Sequence, residues 1–498
     1  MKYISTRDKS NEVTCTSAIV NGISKDGGLF VPASFPTLSL LEIERLIDLS
    51  YSERSAYVLE KFLGDEFTYD ELLTYTTKAY NRFYGDPCPI VKLDDQTFVM
   101  ELWHGPTCAF KDMALTVLPH LLSASRKKTG EDKKSLILVA TSGDTGKAAL
   151  EGFKDVEGTE VIVFYPSEGV SPMQKLQMMT QEGSNVYVCG IKGNFDDAQS
   201  AVKRIFANAD IVKELDKKGY KLSSANSINW GRLAPQIAYY ISTYVDLVAA
   251  GEIENGKKIN FVVPSGNFGN ILAGYYAMRM GLPVNKLICA SNKNNVLTDF
   301  FNSGNYSTKR EFYKTMSPSM DILISSNLER LLFELAGRDD HFVDAKMTEL
   351  RERGEYSLSY EELKEHIPMF YASFADEEYT ADTIHYYFGE DEEDESYLFD
   401  PHTAVAMSVY DTYYDETDDD TETVIVSTAS PYKFPQDVLE AITGKRVDDA
   451  FKATDMLEEM SAVEIPEPLK GLKDRQVRFD KVIDKADIEQ EVLEAVSK

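Results

Sequence analysis

Lys111 has the surroundings that covalent chemistry on an amine requires. It lies in His104-Gly-Pro-Thr-Cys-Ala-Phe-Lys-Asp112, between a turn-forming Gly-Pro pair and the start of an apolar helix. A lysine in a cleft can form a Schiff base with an aldehyde, and partial desolvation lowers its pKa enough for proton transfer. For a single lysine, a surface position at a helix start is the commoner interpretation. Three accompanying motifs favour the catalytic one.

Each of these motifs follows a run with strand character. Thr141-Ser-Gly-Asp-Thr-Gly146 and Pro264-Ser-Gly-Asn-Phe-Gly-Asn270 both open predicted helices. Such loops present backbone N–H groups and hydroxyls to an anion. The third motif is Ser427-Thr-Ala-Ser-Pro-Tyr-Lys-Phe434, whose hydroxyls could meet a ring nitrogen.

Neither Gly-rich loop matches a nucleotide-binding fingerprint. The Walker pattern needs an upstream Gly and a final Ser or Thr, and Thr145-Gly-Lys-Ala148 has neither. The dinucleotide pattern Gly-x-Gly-x-x-Gly is missing at both loops. An ATP-dependent enzyme is therefore disfavoured. One such loop alone would be weak evidence for any ligand, because Gly-rich loops also serve as plain turns.

Taken together, the motifs resemble those of the threonine synthase family. The resemblance rests on these segments, which occur in the family's order: Asp26-Gly-Gly-Leu-Phe-Val-Pro32, His104–Asp112, Ser142–Gly146, Asn226-Ser-Ile-Asn-Trp-Gly-Arg232, Pro264–Asn270, Asp400-Pro-His-Thr-Ala-Val405 and Ser427-Thr-Ala429. That family belongs to the fold type II pyridoxal-phosphate enzymes, the tryptophan synthase β-like group. The resemblance implies an α/β protein with two parallel-sheet domains, the small one inserted in the large one, after an N-terminal helical region.

The resemblance also implies roles for individual residues. Lys111 would hold pyridoxal 5'-phosphate as a Schiff base and act as the catalytic base. The cofactor phosphate would be bound by the loop residues Gly266, Asn267, Phe268, Gly269 and Asn270. Thr428 would hydrogen-bond the pyridine nitrogen. The substrate's carboxylate or phosphate would face Ser142, Gly143, Asp144, Thr145 and Gly146.

One segment departs from the family. Where the family commonly has His-Pro-Ala-Lys-Phe, this chain has Ser430-Pro-Tyr-Lys-Phe434. The difference leaves Thr428 in place, but it puts the local packing and the role of the missing histidine in question.

The implied reaction converts O-phospho-L-homoserine and water to L-threonine and phosphate, by elimination and replacement at the β and γ carbons. Two alternatives remain open. One is a related fold type II lyase, such as a dehydratase or phospho-lyase, and the Ser-Gly-Asp-Thr-Gly loop counts against it. The other is a non-catalytic homologue acting as a binding protein, which the intact Lys111 disfavours.

The chain is strongly acidic, with a formal net charge of −30. Nucleic acids and anionic membranes demand clustered Lys and Arg, so neither is an expected partner. The negative electrostatic potential of such a chain would repel a phosphorylated substrate and cofactor, so local cations must make the potential positive at the cleft. Lys147 and Arg232 are the candidates, although an ordinary salt bridge is about as probable for each.

Other sequence features exclude further classes. The six histidines and five cysteines show no metal-ligand spacing, so no metal site is expected, and Cys108 is interpreted as a packing residue. No apolar run approaches the roughly 18 residues of a membrane span, and the first residues lack a signal-peptide core. We therefore expect a cytoplasmic protein. The sequence does not indicate its oligomeric state.

Alternation of strands and helices predicts parallel sheets. Predicted strands lie at 98–103, 136–140, 161–165, 186–190, 259–263, 286–290 and 424–426, and predicted helices at 40–83, 109–122, 231–250 and 484–498. The expected domains are a mostly helical region at 1–92, a large cofactor domain at 93–125 and 226–498, and a small α/β domain at 126–225. The polar stretch from 305 to 400 receives no chemical role.

Overall fold

Four sheets organise the part of the chain that the computed structural model describes, residues 1–141, 143–168, 170–389 and 396–497. In chain order their strands are β1 Tyr3–Ser5, β2 Glu12–Val13, β3 Phe30–Pro32, β4 Ile90–Lys92, β5 Thr97–Glu101, β6 Lys134–Ala140, β7 Thr159–Pro166, β8 Val186–Lys192, β9 Tyr220–Ser223, β10 Ile259–Pro264, β11 Val284–Ser291, β12 Asn305–Ser307, β13 Glu355–Ser357, β14 Phe370–Phe374, β15 Thr423–Ser427 and β16 Val482–Asp484.

Helices cover the two larger sheets. They are α1 Cys15–Asn21, α2 Leu40–Arg45, α3 Tyr51–Leu63, α4 Tyr69–Tyr80, α5 Asp112–Leu115, α6 Leu118–Thr129, α7 Asp144–Phe153, α8 Pro172–Met179, α9 Phe195–Ala207, α10 Ala209–Lys217, α11 Trp230–Ala250, α12 Gly269–Met280, α13 Val296–Ser303, α14 Leu328–Leu335, α15 Asp340–Arg353, α16 Tyr360–His366, α17 Glu377–Phe388, α18 Pro401–Thr417, α19 Pro435–Thr443, α20 Ala450–Ser461 and α21 Ile488–Ala495. Short 3₁₀ turns lie at Pro318–Met320, Pro431–Lys433, Leu472–Asp474 and Lys485–Asp487.

The larger α/β sheet has six strands in the order β14-β11-β10-β15-β5-β4. All neighbours pair in parallel except β4, which is antiparallel to β5. Strands β10, β15 and β5 are buried along their whole length, as expected for a parallel sheet covered on both faces. Because their carboxyl ends meet at one edge, the loops that follow them are brought together there.

The smaller sheet is wholly parallel, in the order β16-β8-β7-β6-β9. Helices α7 and α8 contribute to the core on one face, and α9 and α21 to the core on the other. The prediction of two parallel-sheet α/β units is confirmed. All seven predicted strands are present, with bounds that differ by a few residues.

The C-terminal end of the chain does not lie on the larger sheet. Strand β16 pairs with the edge strand β8, and Ile488 and Val492 of α21 are fully buried in the smaller sheet's core. The prediction that all of 226–498 lies with the larger sheet is wrong for these last residues. The reason is that β16 pairs with the otherwise open edge of β8, and α21 completes the apolar face that α9 covers in part.

Two other differences have local causes. The helix predicted over 109–122 is split into α5 and α6, because Pro119 has no N–H to continue the hydrogen-bond ladder. The Thr116 hydroxyl also bonds to the Asp112 carbonyl at 2.7 Å. The stretch 305–400, for which no strand was predicted, contributes the edge strand β14 to the larger sheet.

The longest helix, α11, supports both the sheet and the loops at its edge. It has 21 residues, most of them buried. The phenols of Tyr239 and Tyr240 both reach Asn270, in the loop after β10. No helix among the described residues is long and apolar enough to cross a membrane.

We expect Ile488→Ala to lower the free energy of unfolding by about 2 to 5 kcal/mol, because it leaves a cavity beneath the smaller sheet. Val477→Ala is the matched control, since that side chain is 44% exposed, and it should cost less than about 0.5 kcal/mol. Urea denaturation of both variants measures the difference. Equal effects would show that α21 does not contribute to the core.

Candidate active site

Lys111 lies at the end of a tightly closed loop that follows β5. The Asp112 carboxylate accepts hydrogen bonds from the Thr107 N–H and hydroxyl, each at 2.7 Å. A Cβ on Gly105 would lie only 2.5 Å from that carboxylate, so the loop closes only with glycine there. Cys108 takes a left-handed conformation with φ of 58°, a strained geometry that is enriched at functional sites.

The Lys111 amine is buried among polar groups. Its Nζ lies 3.4 Å from the Ser319 hydroxyl and 3.9 Å from the Asp144 carboxylate. Burial lowers the pKa of Lys111 to about 8; the Asp144 charge opposes this shift, and the Arg232 and Lys433 charges add to it. Such an amine gains and loses a proton near neutral pH.

Asp144 forms a second and shorter ion pair, with Lys433. The Lys433 Nζ lies 2.6 Å from the carboxylate, and both side chains are at most 2% exposed. Lys433 also donates to the Thr107 carbonyl at 2.8 Å, and Gln174 donates to Asp144 at 2.8 Å. Burial would raise the pKa of Asp144, but the charges of Lys433 and Lys111 outweigh it and hold that pKa well below its usual range.

The sequence analysis missed Lys433. Its signal was the one charged residue in an otherwise uncharged motif directly after a buried strand. Ser430, which stands where the family commonly has histidine, positions it: the Ser430 N–H donates to the Cys108 carbonyl at 3.1 Å, and its hydroxyl accepts from the Tyr432 N–H at 3.3 Å. Ser430 therefore fixes the 3₁₀ turn that carries Lys433.

Ser319 is a second residue that the sequence analysis missed, in the stretch that received no chemical role. Its hydroxyl donates to Asp144 at 3.3 Å, and its N–H donates to the His402 Nε2 at 3.1 Å. The His402 Nδ1 faces Asp400 at 2.8 Å, so the histidine is oriented by the Asp-Pro-His motif. Ser319 thus joins Lys111, the loop after β6 and helix α18.

Two carbonyls of the loop after β10 accept hydrogen bonds from the segment 325–327. The Ser325 hydroxyl donates to the Gly266 carbonyl at 2.8 Å, and the Asn327 N–H donates to the Asn267 carbonyl at 3.0 Å. A Cβ on Gly266 would lie 3.0 Å from the Ser319 carbonyl, so this loop packs against the residue that contacts Lys111.

The same loop ends in an uncapped helix. Phe268 is left-handed at φ of 60°, and α12 begins at Gly269 without a side-chain cap. The Asn270 Oδ1 accepts from Tyr239 and Tyr240, whereas its buried Nδ2 has no partner. Uncapped N–H groups and an unpartnered amide nitrogen fit a phosphate group.

Thr428 lies beside the Lys111 loop. Its carbonyl accepts from the Phe110 N–H at 2.8 Å, and Ala429 bridges to Ala109. The Thr428 hydroxyl makes no hydrogen bond with any residue the structure describes, and the side chain is 6% exposed. The hydroxyl is therefore available to a ligand that contacts Lys111.

The loop after β6 differs in part from expectation. Ser142 lies outside the described residues. The N–H groups of Gly143 and Gly146 both donate to the Thr141 hydroxyl at 3.0 Å, so they are not available to an anion. Thr145 is half-buried at the start of α7.

Lys147 and Arg232 have different environments. Lys147 forms an ion pair with Glu151 at 3.3 Å and donates to Gln181, so it is not part of the Lys111 cluster. Arg232 is 6% exposed and donates to the Ala225 carbonyl at 2.6 Å. Burial lowers the pKa of Arg232 to about 10. No carboxylate of the described residues forms an ion pair with it, so it is a buried cation without a counter-charge.

Comparison with known proteins agrees with this geometry. Three family models match: "Threonine synthase N terminus" at residues 2–80, "Pyridoxal-phosphate dependent enzyme" at 85–354 and "Threonine synthase, C-terminal" at 403–493. The chain belongs to the threonine synthase family. Pyridoxal phosphate is the cofactor of this enzyme family, and the uncapped α12 and buried Lys111 fit it.

Individual relatives support the same family. A threonine synthase of Pseudomonas aeruginosa is 37% identical over 89% of this chain and 91% of its own length. The solved structure of pyridoxal-phosphate-bound threonine synthase from Brucella melitensis superposes with a TM-score of 0.88, at 36% identity and over 100% of both chains. The human relative "Threonine synthase-like 1" is 38% identical over 87% of this chain, which spans 58% of that protein's length.

We expect the Lys111 amine of cofactor-free protein to be acetylated by acetic anhydride with a pH midpoint near 8, since burial lowers its pKa to about that value. An ordinary lysine has a pKa of about 10.4. Mass spectrometry of the peptide spanning 104–126 over a pH series measures the midpoint. Lys111→Arg should abolish the signal, and a midpoint above about 10 would contradict the buried environment.

Lys433→Met should destabilise the fold by about 3 to 5 kcal/mol at pH 7, because it leaves Asp144 buried without its nearest counter-charge. Because the pKa of Asp144 is lower in the folded than in the unfolded protein, its ionised carboxylate stabilises the fold at pH values above the ordinary pKa of an aspartate. This stabilisation is lost as the pH falls through the pKa of Asp144 in the folded protein. The difference from wild type should therefore shrink in acid. Urea denaturation at pH 7 and pH 3 tests this, with exposed Lys445→Met as control; a pH-independent loss would refute the charge assignment.

Proposed function

We propose that the protein converts O-phospho-L-homoserine and water to L-threonine and phosphate, as a pyridoxal-phosphate-dependent carbon–oxygen lyase. The observation that carries the proposal is the buried Lys111 amine, with a pKa of about 8, beside the Asp144–Lys433 ion pair and the unpaired Arg232. The proposal is supported by the threonine synthases that match nearly the whole chain.

In this proposal Lys111 holds the cofactor covalently through its amine. Gly266, Asn267, Phe268, Gly269 and Asn270 hold the cofactor phosphate at the start of α12, and the Thr428 hydroxyl faces the ring nitrogen. When bound, pyridoxal phosphate supplies an electron sink that stabilises negative charge on a carbon beside the substrate's amino group.

The proton transfers fall to Lys111. With a pKa of about 8, roughly a tenth of such amines are unprotonated at pH 7, and the protonated and neutral forms differ by little more than 1 kcal/mol. Once the substrate's own amino group has displaced it from the cofactor, the free Nζ can take a proton from the α carbon, give it up, and then take one from the β carbon. The negative charge of Asp144 favours the protonated amine, and Lys433 holds Asp144 in place.

The substrate's phosphate or carboxylate would be bound by Arg232 and by Thr145. The backbone of the loop after β6 contributes less, because Thr141 accepts its Gly143 and Gly146 N–H groups. Three buried cations, Lys111, Lys433 and Arg232, exceed the two buried carboxylates that act most strongly on the Lys111 amine, Asp144 and Asp112. The cleft is thus locally positive although the chain carries −30.

The domain arrangement is also a proposal. We place the small domain at 126–225 together with the C-terminal residues from 482 onward, and the large domain at 93–125 and from 226 to the end of α20. The cleft then lies between the carboxyl ends of β6 and β10, where open α/β sheets bind ligands. A cytoplasmic location remains a prediction.

The direct test is a product assay with O-phospho-L-homoserine and added pyridoxal phosphate. We expect threonine and phosphate in equal amounts, and at least a thousandfold lower rate in Lys111→Ala, because no other amine of that motif replaces it. Lys127→Ala, whose side chain is 66% exposed, is the matched control and should keep wild-type activity.

Other products would separate the alternatives. Formation of 2-oxobutyrate in place of threonine would indicate a dehydratase-like lyase. A protein that retains the cofactor but turns over no substrate would be a binding protein. The retained cofactor would give a visible absorbance band, and borohydride would bleach that band by reducing the linkage to Lys111.

A further inference from the structure

A polar pocket lies between helices α7 and α8 and the C-terminal segment, and Pro106 of the loop that carries Lys111 also contributes to its wall. Its volume is about 540 Å³. The small-domain helices contribute Lys147 and Gln177 to its wall, and the C-terminal segment that leads to β16 contributes Arg475 and Arg478. The pocket is therefore built from two parts of the chain that are about 300 residues apart in sequence.

The wall of this pocket carries more positive than negative charge. Lys147, Lys154 and the two arginines face the carboxylates Glu151 and Glu182. The lysines are paired, Lys147 with Glu151 and Lys154 with Glu182. Such an excess of cations is unusual on a chain with a net charge of −30.

The two arginines supply the excess. Arg475 donates to the Pro468 carbonyl at 3.0 Å, and Arg478 donates to the carbonyls of Gln181 and Gly183 at 2.7 and 3.1 Å. Neither forms an ion pair with a carboxylate of the described residues. Those contacts use only some of each guanidinium's five N–H donors, so both retain donors for an anion.

Gln177 gives an independent indication of a ligand. Its side chain is 2% exposed and lines the pocket, and neither its amide nitrogen nor its amide oxygen has a hydrogen-bond partner. A buried unsatisfied amide costs about 1 to 3 kcal/mol, so a partner at this position would be strongly favoured. A phosphate ligand that carries a hydroxyl group provides both an acceptor for the amide nitrogen and a donor for the amide oxygen.

We propose that this pocket binds a phosphate dianion, either free or as the phosphoryl group of a small monoester. The excess of two positive charges matches a dianion, and arginine guanidiniums bind phosphate oxygens in pairs. The volume exceeds that of phosphate alone, which leaves room for the body of a monoester against Gln177. The site differs from the Lys111 cluster in its charged residues, since the cations that act on the Lys111 amine are Arg232 and Lys433.

The test uses the full-length holoprotein and isothermal titration calorimetry at constant ionic strength, with inorganic phosphate and glycerol 2-phosphate as the two probes. Two variants address the pocket: the double variant Arg475→Gln, Arg478→Gln, and Gln177→Leu. Arg204→Gln is the control, because Arg204 is 58% exposed on α9, on the opposite face of the smaller sheet.

We expect saturable binding of at least one probe, weakened at least tenfold in both pocket variants and unchanged in Arg204→Gln. The probe that binds more tightly identifies the source, free phosphate or a monoester. Equal binding by wild type and both pocket variants, or no saturable binding of either probe, would overturn the proposal.

Thermal unfolding separates loss of the ligand from loss of the fold. In phosphate-free buffer Gln177→Leu should unfold at the same temperature as wild type or a higher one, because it removes an unsatisfied amide. Added ligand should then raise the midpoint of wild type more than that of the variant. An equal rise in both proteins would contradict a role for Gln177.

Discussion

The buried ion pair between Lys433 and Asp144 joins the two halves of the candidate site. Lys433 follows a strand of the larger sheet, and Asp144 opens the helix after the first strand of the smaller one. Burying either charge alone would be prohibitive, so each residue stabilises the other only when the two sheets are correctly placed. The bond from Lys433 to the Thr107 carbonyl extends this constraint to the loop that carries Lys111. That arrangement fixes the position of the Lys111 amine, whose pKa is lowered mainly by burial and adjusted by the neighbouring charges.

Much of the site could be predicted from sequence because its parts are local. Consecutive residues such as Pro264–Asn270 encode the end of a buried strand, a Gly-rich turn and the start of a helix. Parallel strands then bring the ends of several such segments to one edge of the sheet. Once the strands are assigned to the correct sheet, it follows that Lys111, Thr428 and Gly266 lie near one another. The fold class followed from the same alternation of strands and helices.

What the sequence did not indicate depends on contacts between distant segments. Ser319 lies in a polar stretch without periodicity, and only its contacts with Lys111, Asp144 and His402 reveal its place. Strand β16 is a three-residue strand whose pairing is decided by the open edge of β8. Lys147 follows the Gly-rich loop directly, yet the rotation of α7 directs it toward Glu151 and away from the cleft.

The position of the charges explains how an acidic chain can bind phosphorylated molecules. Exposed carboxylates act through water and salt, and their influence fades over a Debye length of about 8 Å. Lys111, Lys433 and Arg232 are buried, where the lower effective dielectric strengthens each interaction. A few desolvated cations therefore dominate the potential in the cleft, whereas the many surface acids set the behaviour of the molecule at long range. The net charge of a chain therefore indicates which macromolecules it can bind. Which small ligands it binds depends on the charged residues of the site.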